Sequence, residues 1–265
     1  MMTGKRGFAI GVLLLSVLLV ISCDDFYSST WGTAREYETA KINVNADNVD
    51  TWVENATGNP ELAAAVTEKI KEELKKDDLK EKDKAKLQEG GVSLAVEASG
   101  IGETIISAAS DAVSALSKGE VDALQQLLVN VHNDFKKNKG AKAAADLSEI
   151  VSGSLKPNAG KIPEFTGLYA DKAQPSNVGL AVSLLTLALV ENGMDEVNKD
   201  MSEVDLAKLT DYGLFVDNGK ATVISDNPKP ETVTLAAYLN LIASDTTGKF
   251  DSNPITSSIK TAFGL

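Results

Sequence analysis

The chain has 265 residues and a formal charge of −12 at pH 7, and 5% of its residues are aromatic. This acidity argues against nucleic-acid binding, because phosphates are held by clusters of lysine and arginine, and the low aromatic content disfavours stacking platforms for bases or sugars. Arg35 is the single arginine after residue 22, so a site built on a bidentate arginine fork around a carboxylate or phosphate is nearly excluded.

The start of the chain has the layout of a secretory signal. Lys5 and Arg6 come before the apolar run Gly7–Ile21, and a small residue follows that run. The run is shorter than the roughly 20 residues of a permanent membrane span, and it resembles the apolar part of a signal peptide, which has about 7–15 residues. We therefore predict that residues 1–22 form a cleaved signal peptide. An uncleaved membrane anchor is the alternative.

The last four residues of this segment, Val20-Ile21-Ser22-Cys23, resemble the bacterial lipobox. In lipoproteins of that family signal peptidase II cuts before the cysteine, here between Ser22 and Cys23, and the cysteine carries diacylglycerol and palmitate. Val20 and Ser22 stand where Leu and Ala or Gly are usual, and are similar to the looser lipobox of spirochaete-type lipoproteins. The resemblance is limited to about the first 30 residues. It implies attachment to a membrane of the cell envelope through the N-terminal lipid, at the periplasmic face or the cell surface.

The cysteine content agrees with lipidation. Cys23 is the only cysteine, so an exported chain could form no internal disulfide. Acylation of the sulfur explains why an exported chain has a single cysteine. A catalytic role is disfavoured because Asp24 and Asp25 oppose the thiolate that a nucleophile requires. Cleavage would remove two basic residues and no acidic one, which changes the formal charge from −12 to −14.

The remainder is predicted to be a polar tether over residues 23–45 and a helical domain over residues 46–265. Two halves, 46–152 and 176–265, are conceivable on either side of the loop 153–175, which holds three prolines and three glycines. Long loops without structure are uncommon and are usually functional or connecting. In this loop Phe165, Leu168 and Tyr169 are apolar anchors, which could contact a ligand or partner or could fasten the loop to the core.

Helix signals follow the tether. Asn59-Pro60 and Asn253-Pro254 each combine an N-cap with proline at the first helical position. The charged stretch Asp77–Leu87 indicates a solvated helix or the end of a helical hairpin. Gly90-Gly91 is predicted to interrupt the helical pattern, and the stretch from Val121 to Phe135 has the clearest amphipathic spacing.

The most apolar segment is Val178–Val190, which Ser176 is expected to cap. It is apolar on every side, and this is typical of a fully buried helix. Further along, Asn218-Gly219 lies between two short strand-like runs within Leu214–Ser225, and predicts a β-hairpin. The predicted fold class is therefore all-α, an irregular multi-helix bundle with one small β-hairpin insert.

Motifs for catalysis or for cofactor binding are missing from the sequence. His132 is the sole histidine and has only Asp134 nearby, so we interpret it as an ordinary helix residue rather than a metal ligand. Ser99–Thr104 is glycine-rich but lacks the lysine and the strand of a phosphate loop. Asp217 and its neighbours lack the spacing of a calcium loop. We therefore predict no metal, no cofactor and no enzymatic activity.

The favoured hypothesis is a lipid-anchored envelope lipoprotein that acts as a binding or protein-interaction module for an envelope protein or a small ligand. A structural or surface-exposed, antigen-like lipoprotein is one alternative, and a hydrolase with an unrecognised carboxylate site is another. A deep apolar pocket near Phe165 and Tyr169 would favour a small ligand, whereas a filled core with a flat exposed patch would favour protein contact.

Overall fold

The computed structural model describes residues 41–101, 130–137, 139–156, 162–197, 213–263 and 265. Within these ranges the chain forms helices and one two-stranded antiparallel sheet, so the predicted all-α class with a small hairpin is confirmed. The elements in chain order are α1 (Val49–Ala56), α2 (Pro60–Leu74), α3 (Glu81–Ala98), α4 (130–137), α5 (Gly140–Ser152), α6 (Gly167–Lys172), α7 (Pro175–Val197), β1 (Leu214–Asp217), β2 (Lys220–Val223), α8 (Pro230–Ala243) and α9 (Pro254–Phe263).

The two Asn-Pro pairs begin helices as predicted. At the start of α2, Asn59 Oδ1 accepts a hydrogen bond from the Leu62 amide at 3.0 Å. At the start of α9, Asn253 Oδ1 accepts from the amides of Ile255 and Thr256, at 2.9 and 3.3 Å. Both side chains satisfy amide groups that the first helical turn leaves without a carbonyl partner.

The prediction that Gly90-Gly91 interrupts a helix is wrong, because α3 runs through both residues. They are buried where α3 meets its neighbours. A Cβ atom on Gly90 would lie 2.5 Å from Val49 Cγ2 of α1, and one on Gly91 would lie 3.1 Å from Ile150 Cδ1 of α5. The glycines therefore serve close helix packing, which outweighs their low helix propensity of about 1 kcal/mol relative to alanine.

The predicted central buried helix is confirmed as α7. Every residue from Asn177 to Glu191 is buried, and α7 packs against α3, α5, α8 and α9. The helix begins at Pro175 rather than after a Ser176 cap, since the Val178 amide already donates to the Gln174 carbonyl at 2.9 Å. Along the described chain no helix combines the length and apolarity that crossing a membrane requires.

The hairpin forms where it was predicted. Strand β1 pairs with β2 with Leu214 opposite Val223, and the turn between them contains Asn218 at φ 49° and Gly219 at φ 74°. Positive φ at both central residues is the type I′ geometry that suits the twist of a hairpin. Its inner face packs on α8, where the Asn240 side chain bonds both the amide and the carbonyl of Ala221, at 2.7 and 2.9 Å.

The predicted loop between the two halves contains ordered structure. Its described part after residue 161, which we name the strap (residues 162–174), includes α6. The strap pairs with the chain that follows α5: the Lys156 amide donates to the Glu164 carbonyl at 3.0 Å, and the Thr166 amide donates to the Ser154 carbonyl at 2.8 Å. These two bonds flank an antiparallel bridge between Leu155 and Phe165.

Several sequence predictions fall outside the described residues. They include the signal peptide with its cleavage and lipidation site at Ser22 and Cys23, and most of the predicted tether. The amphipathic stretch that begins at Val121 is described only from residue 130 onward.

Candidate functional site

The sequence-predicted contact residues of the strap have two different environments. Phe165 and Tyr169 belong to the main hydrophobic core, and Tyr169 is only 1% exposed. Leu168 points away from the core and is 38% exposed. The structure therefore brings Phe165 and Tyr169 together on the inner face of the strap and leaves Leu168 on its outer face.

The two buried aromatic rings of the strap form a compact group with one residue of α8. We name Phe165, Tyr169 and Tyr238 the aromatic cluster. The ring of Phe165 has its centroid 5.1 Å from that of Tyr169 and 4.6 Å from that of Tyr238, in tilted or edge-on arrangements. Such geometries are favourable for aromatic pairs beyond the apolar area that they bury.

The two tyrosine hydroxyls in this cluster bond to each other. Tyr169 Oη and Tyr238 Oη are 2.5 Å apart, and both side chains are fully buried. Burial raises the pKa of both phenols far above the ordinary value, with the nearby charge of Glu89 acting in the same direction. The pair is therefore neutral at physiological pH, and each hydroxyl depends on the other for its hydrogen bond.

Glu89 of α3 lies beside the aromatic cluster and reaches the start of α7. Its Oε1 accepts a hydrogen bond from the Gln174 amide at 3.0 Å and another from Asn177 Nδ2 at 2.7 Å. Its Oε2 is buried and has no hydrogen-bond partner among the described residues. Burial raises the pKa of Glu89 to about 7, although the bonds from Gln174 and Asn177 and the charge of Lys249 act in the opposite direction.

Glu89 did not emerge from the sequence because its partners are 85 and 88 residues away along the chain. One local signal was present. Glu89 precedes Val92 by three residues and Val96 by seven, so a carboxylate occupies the apolar face of a helix. A charged residue at such a position needs partners from other elements, since unpaired buried charge is costly.

His132 also has an acidic partner that the sequence did not reveal. Its Nε2 contacts Oε2 of Glu191, which lies 59 residues later on α7, and Lys136 Nζ is 2.9 Å from Oε1 of the same carboxylate. Burial opposes ionisation of Glu191, but the hydrogen bonds from Lys136 and His132 outweigh it and lower the pKa of Glu191. The three side chains join α4 to the carboxyl end of the buried part of α7.

A third charged group lies between α2 and α5. Lys71 Nζ is 2.7 Å from Asp146 Oδ1 and 3.0 Å from Glu149 Oε2, and Lys142 joins the same group through Asp146 and Glu68. Each acidic residue of this network has a basic partner, so the arrangement is a structural bridge between two helices. In the part of the chain that the structure describes, no group of three or more His, Cys, Asp or Glu residues is arranged to hold a metal ion.

Among these groups, Glu89 and the aromatic cluster have the chemistry most suited to a function. They combine two neutral phenols with a carboxyl group, one oxygen of which has no hydrogen-bond partner among the described residues. They also include a strap that is held by hydrogen bonds and has one face exposed to solvent. Comparisons with protein-family models, with curated proteins and with solved structures found no match to this chain.

Proposed function

We propose that the protein is a lipid-anchored lipoprotein of the bacterial cell envelope that acts as a binding or protein-interaction module. The observation that carries this proposal is the arrangement at the N-terminus, in which two basic residues, an apolar run and a small residue lead directly to the only cysteine, Cys23. A signal peptide of this form directs export, and lipid on Cys23 would keep the mature chain at a membrane.

The lipid would act as the membrane anchor. Each buried CH₂ group of an acyl chain contributes about 0.8 kcal/mol to membrane binding, and stable anchoring takes two chains or an equivalent second signal. Diacylglycerol on the sulfur provides two chains. The acidic mature chain adds no attraction to anionic lipids, which favour basic segments, so the proposal assigns anchoring to the lipid and contact with partners to the folded domain.

The folded domain supports binding of a partner at its surface rather than of a ligand in its core. Phe165 and Tyr169 are packed inside the core, whereas Leu168 is an apolar side chain that is 38% exposed on the strap. In a protein whose other strap anchors are buried, this residue is available to a partner. We therefore assign Leu168 to the partner-binding surface of the proposed module.

The anchor is tested by expressing the full chain in a bacterium that processes lipoproteins and supplying labelled palmitate. We expect the wild-type protein to incorporate the label and to sediment with membranes. The Cys23→Ala variant should remain unlabelled and should fail to be processed at residue 22. A wild-type protein that takes up no palmitate would refute the anchor.

The binding role is tested by recovering partners from native envelope with three forms of the lipidated protein, the wild type, Leu168→Asp and Ile224→Asp. Ile224 is a matched control because it is similarly exposed, at 40%, on the hairpin. We expect Leu168→Asp to reduce recovery of a saturable partner at least tenfold, a loss of about 1.4 kcal/mol in binding free energy, and Ile224→Asp to leave it unchanged. Equal recovery by all three forms would contradict the assignment of Leu168.

A further inference from the structure

Glu89 holds together parts of the chain that are far apart in sequence. From the middle of α3 its Oε1 accepts the Gln174 amide, which ends the strap, and Asn177 Nδ2 in the first turn of α7. The strap is also held at Asp171, whose carbonyl accepts a hydrogen bond from Lys249 Nζ at 3.0 Å. Contacts at Gln174 and Asp171 thus fasten the carboxyl-terminal end of the strap, which contributes Phe165 and Tyr169 to the aromatic cluster.

The unpaired oxygen of Glu89 indicates which protonation state this arrangement suits. An ionised carboxylate has two charged oxygens that both require donors, but Oε2 is buried and has no donor among the residues that the structure describes. A neutral carboxylic acid needs fewer hydrogen-bond donors, because its carbonyl oxygen can accept both observed bonds while its hydroxyl group occupies the Oε2 position. Burying a lone hydroxyl costs far less free energy than burying an unsatisfied charge.

The groups around Glu89 include few charges. In the described part of the chain, the titratable groups that face it are Tyr169 from α6, Tyr238 from α8 and Lys249 from the turn after α8. The phenols are neutral and bonded to each other, and α7 contributes the uncharged Asn177 together with the positive end of its helix dipole. Lys249 and the dipole favour an ionised Glu89, but burial is the largest influence and opposes ionisation.

We propose that Glu89 is a proton-dependent clasp: its neutral carboxyl group holds the strap closed, with Phe165 and Tyr169 of the strap packed against Tyr238 of α8, and its ionisation loosens the strap. The proposal stands independently of the lipid anchor and of the binding role of Leu168. It makes access to Phe165, Tyr169 and Tyr238 depend on the pH around the protein.

The direction of the pH effect follows from linkage. In the closed state the pKa of Glu89 is raised to about 7 from its ordinary value of 4.5. The closed state therefore binds the proton more tightly than an open state in which Glu89 meets water. The contribution of Glu89 to closure is complete below pH 4.5 and is lost as the pH rises through 7.

Amide hydrogen exchange measured by NMR on the full-length mature protein tests the clasp. Protection factors of the Ala173 and Gln174 amides, corrected for the intrinsic effect of pH on exchange, should fall by about seventy-fold between pH 5 and pH 8, as linkage for a shift of this size requires. In Glu89→Gln, a neutral mimic of the protonated acid, protection of the same amides should not vary with pH.

The matched control is Glu97→Gln on the same helix. Glu97 Oε1 accepts the Gly58 amide at 2.8 Å, away from the strap, so this variant removes one carboxylate from α3 and should retain the pH dependence of the wild type. Constant protection in the wild type, or an equal fall in protection in Glu89→Gln, would overturn the proposal.

A second measurement applies even if Glu89→Gln fails to fold. The side-chain carboxyl carbon of Glu89, labelled with ¹³C in the wild-type protein, reports its own titration. A midpoint close to 7 supports the clasp, and a midpoint close to 4.5 refutes it.

Discussion

Tyr169 and Tyr238 show how this protein places polar atoms in an apolar interior. Both rings are surrounded by the core, and each hydroxyl would be costly to bury by itself. Because the two oxygens are 2.5 Å apart, one donates and the other accepts, and the cost is largely offset. The pair links the strap to α8, so its hydrogen bond contributes to closure as well as to stability.

The interdependence of the two hydroxyls can be measured with a double-mutant cycle. Tyr169→Phe and Tyr238→Phe should each destabilise the protein by about 1–3 kcal/mol, since each leaves the other hydroxyl buried without a partner. The double variant leaves no unpaired hydroxyl and should be less destabilised than the sum of the two. Urea unfolding of the four proteins provides the free energies, and strictly additive values would contradict the pairing.

At this scale the sequence predicted local side-chain partners and missed distant ones. Asn59 and Asn253 cap their own helices, so the residues that follow them already indicate the bond. Glu89, Glu191 and Asn240 lie on helices of the structure, but their partners are 59 to 88 residues away for the two acids and on another element for the amide. Spacing along one helix contains no information about such pairs, which depend on how the helices pack.

At the scale of elements, α3 is the helix whose prediction differed most from the structure. Glycine destabilises an isolated helix, and two adjacent glycines predict a break when each helix is considered alone. In the folded protein α3 packs against α1, α2, α5, α6 and α7. The close contacts at Gly90 and Gly91 stabilise the packed helix by more than the low helix propensity of glycine costs. These contacts involve residues of α1 and α5, so the sequence of α3 alone does not reveal them.

Substitution at Gly90 tests this explanation. In Gly90→Ala the new Cβ would lie 2.5 Å from Val49 Cγ2, so we expect overpacking to destabilise the protein by about 1–3 kcal/mol despite the better helix propensity of alanine. Val49→Ala in the same chain removes the clashing methyl group and should restore part of the loss. Chemical denaturation measures each free energy of unfolding.

Gly153→Ala is the control for Gly90→Ala. Gly153 is the residue directly after α5, and a Cβ there would meet only the flexible end of Lys84, at 3.1 Å from Nζ. We expect an effect within about 0.5 kcal/mol, as for other surface changes. If Gly90→Ala were as mild as this control, close packing would not be the reason for glycine in α3.

At the scale of the whole molecule, α3 connects two hydrophobic clusters. Leu87 and Leu94 belong to the smaller cluster with α1 and α2, and Val92 and Val96 belong to the main cluster around α7. The main cluster also contains Leu147 of α5, so residues before and after the strap share one core. The all-α class and the small hairpin could be predicted from periodicity and turn residues, whereas this sharing depends on three-dimensional packing.

A shared core predicts cooperative unfolding of the chain. Trp52 of α1 is one of two tryptophans, and its Nε1 donates to the Asn43 carbonyl at 3.1 Å beside the smaller cluster. In the full-length protein with Trp31→Phe, thermal transitions followed by Trp52 fluorescence and by far-ultraviolet circular dichroism should coincide, as two-state unfolding requires. A fluorescence transition several degrees below the other would show that the smaller cluster unfolds separately.

The length of the apolar part of α7 has a consequence for secretion. An exported chain crosses the inner membrane unfolded, and an apolar segment of about 20 residues halts there as a stop-transfer sequence. Val178–Val190 has 13 residues and is bounded by Asn177 and Glu191, and an acidic residue at the bilayer centre costs about 2.5–3.5 kcal/mol. In a chain exported as proposed, the segment that is most apolar in the folded core is thus short enough to pass through the translocation channel. Glu191, which binds His132 and Lys136 after folding, limits the length of that apolar segment during export.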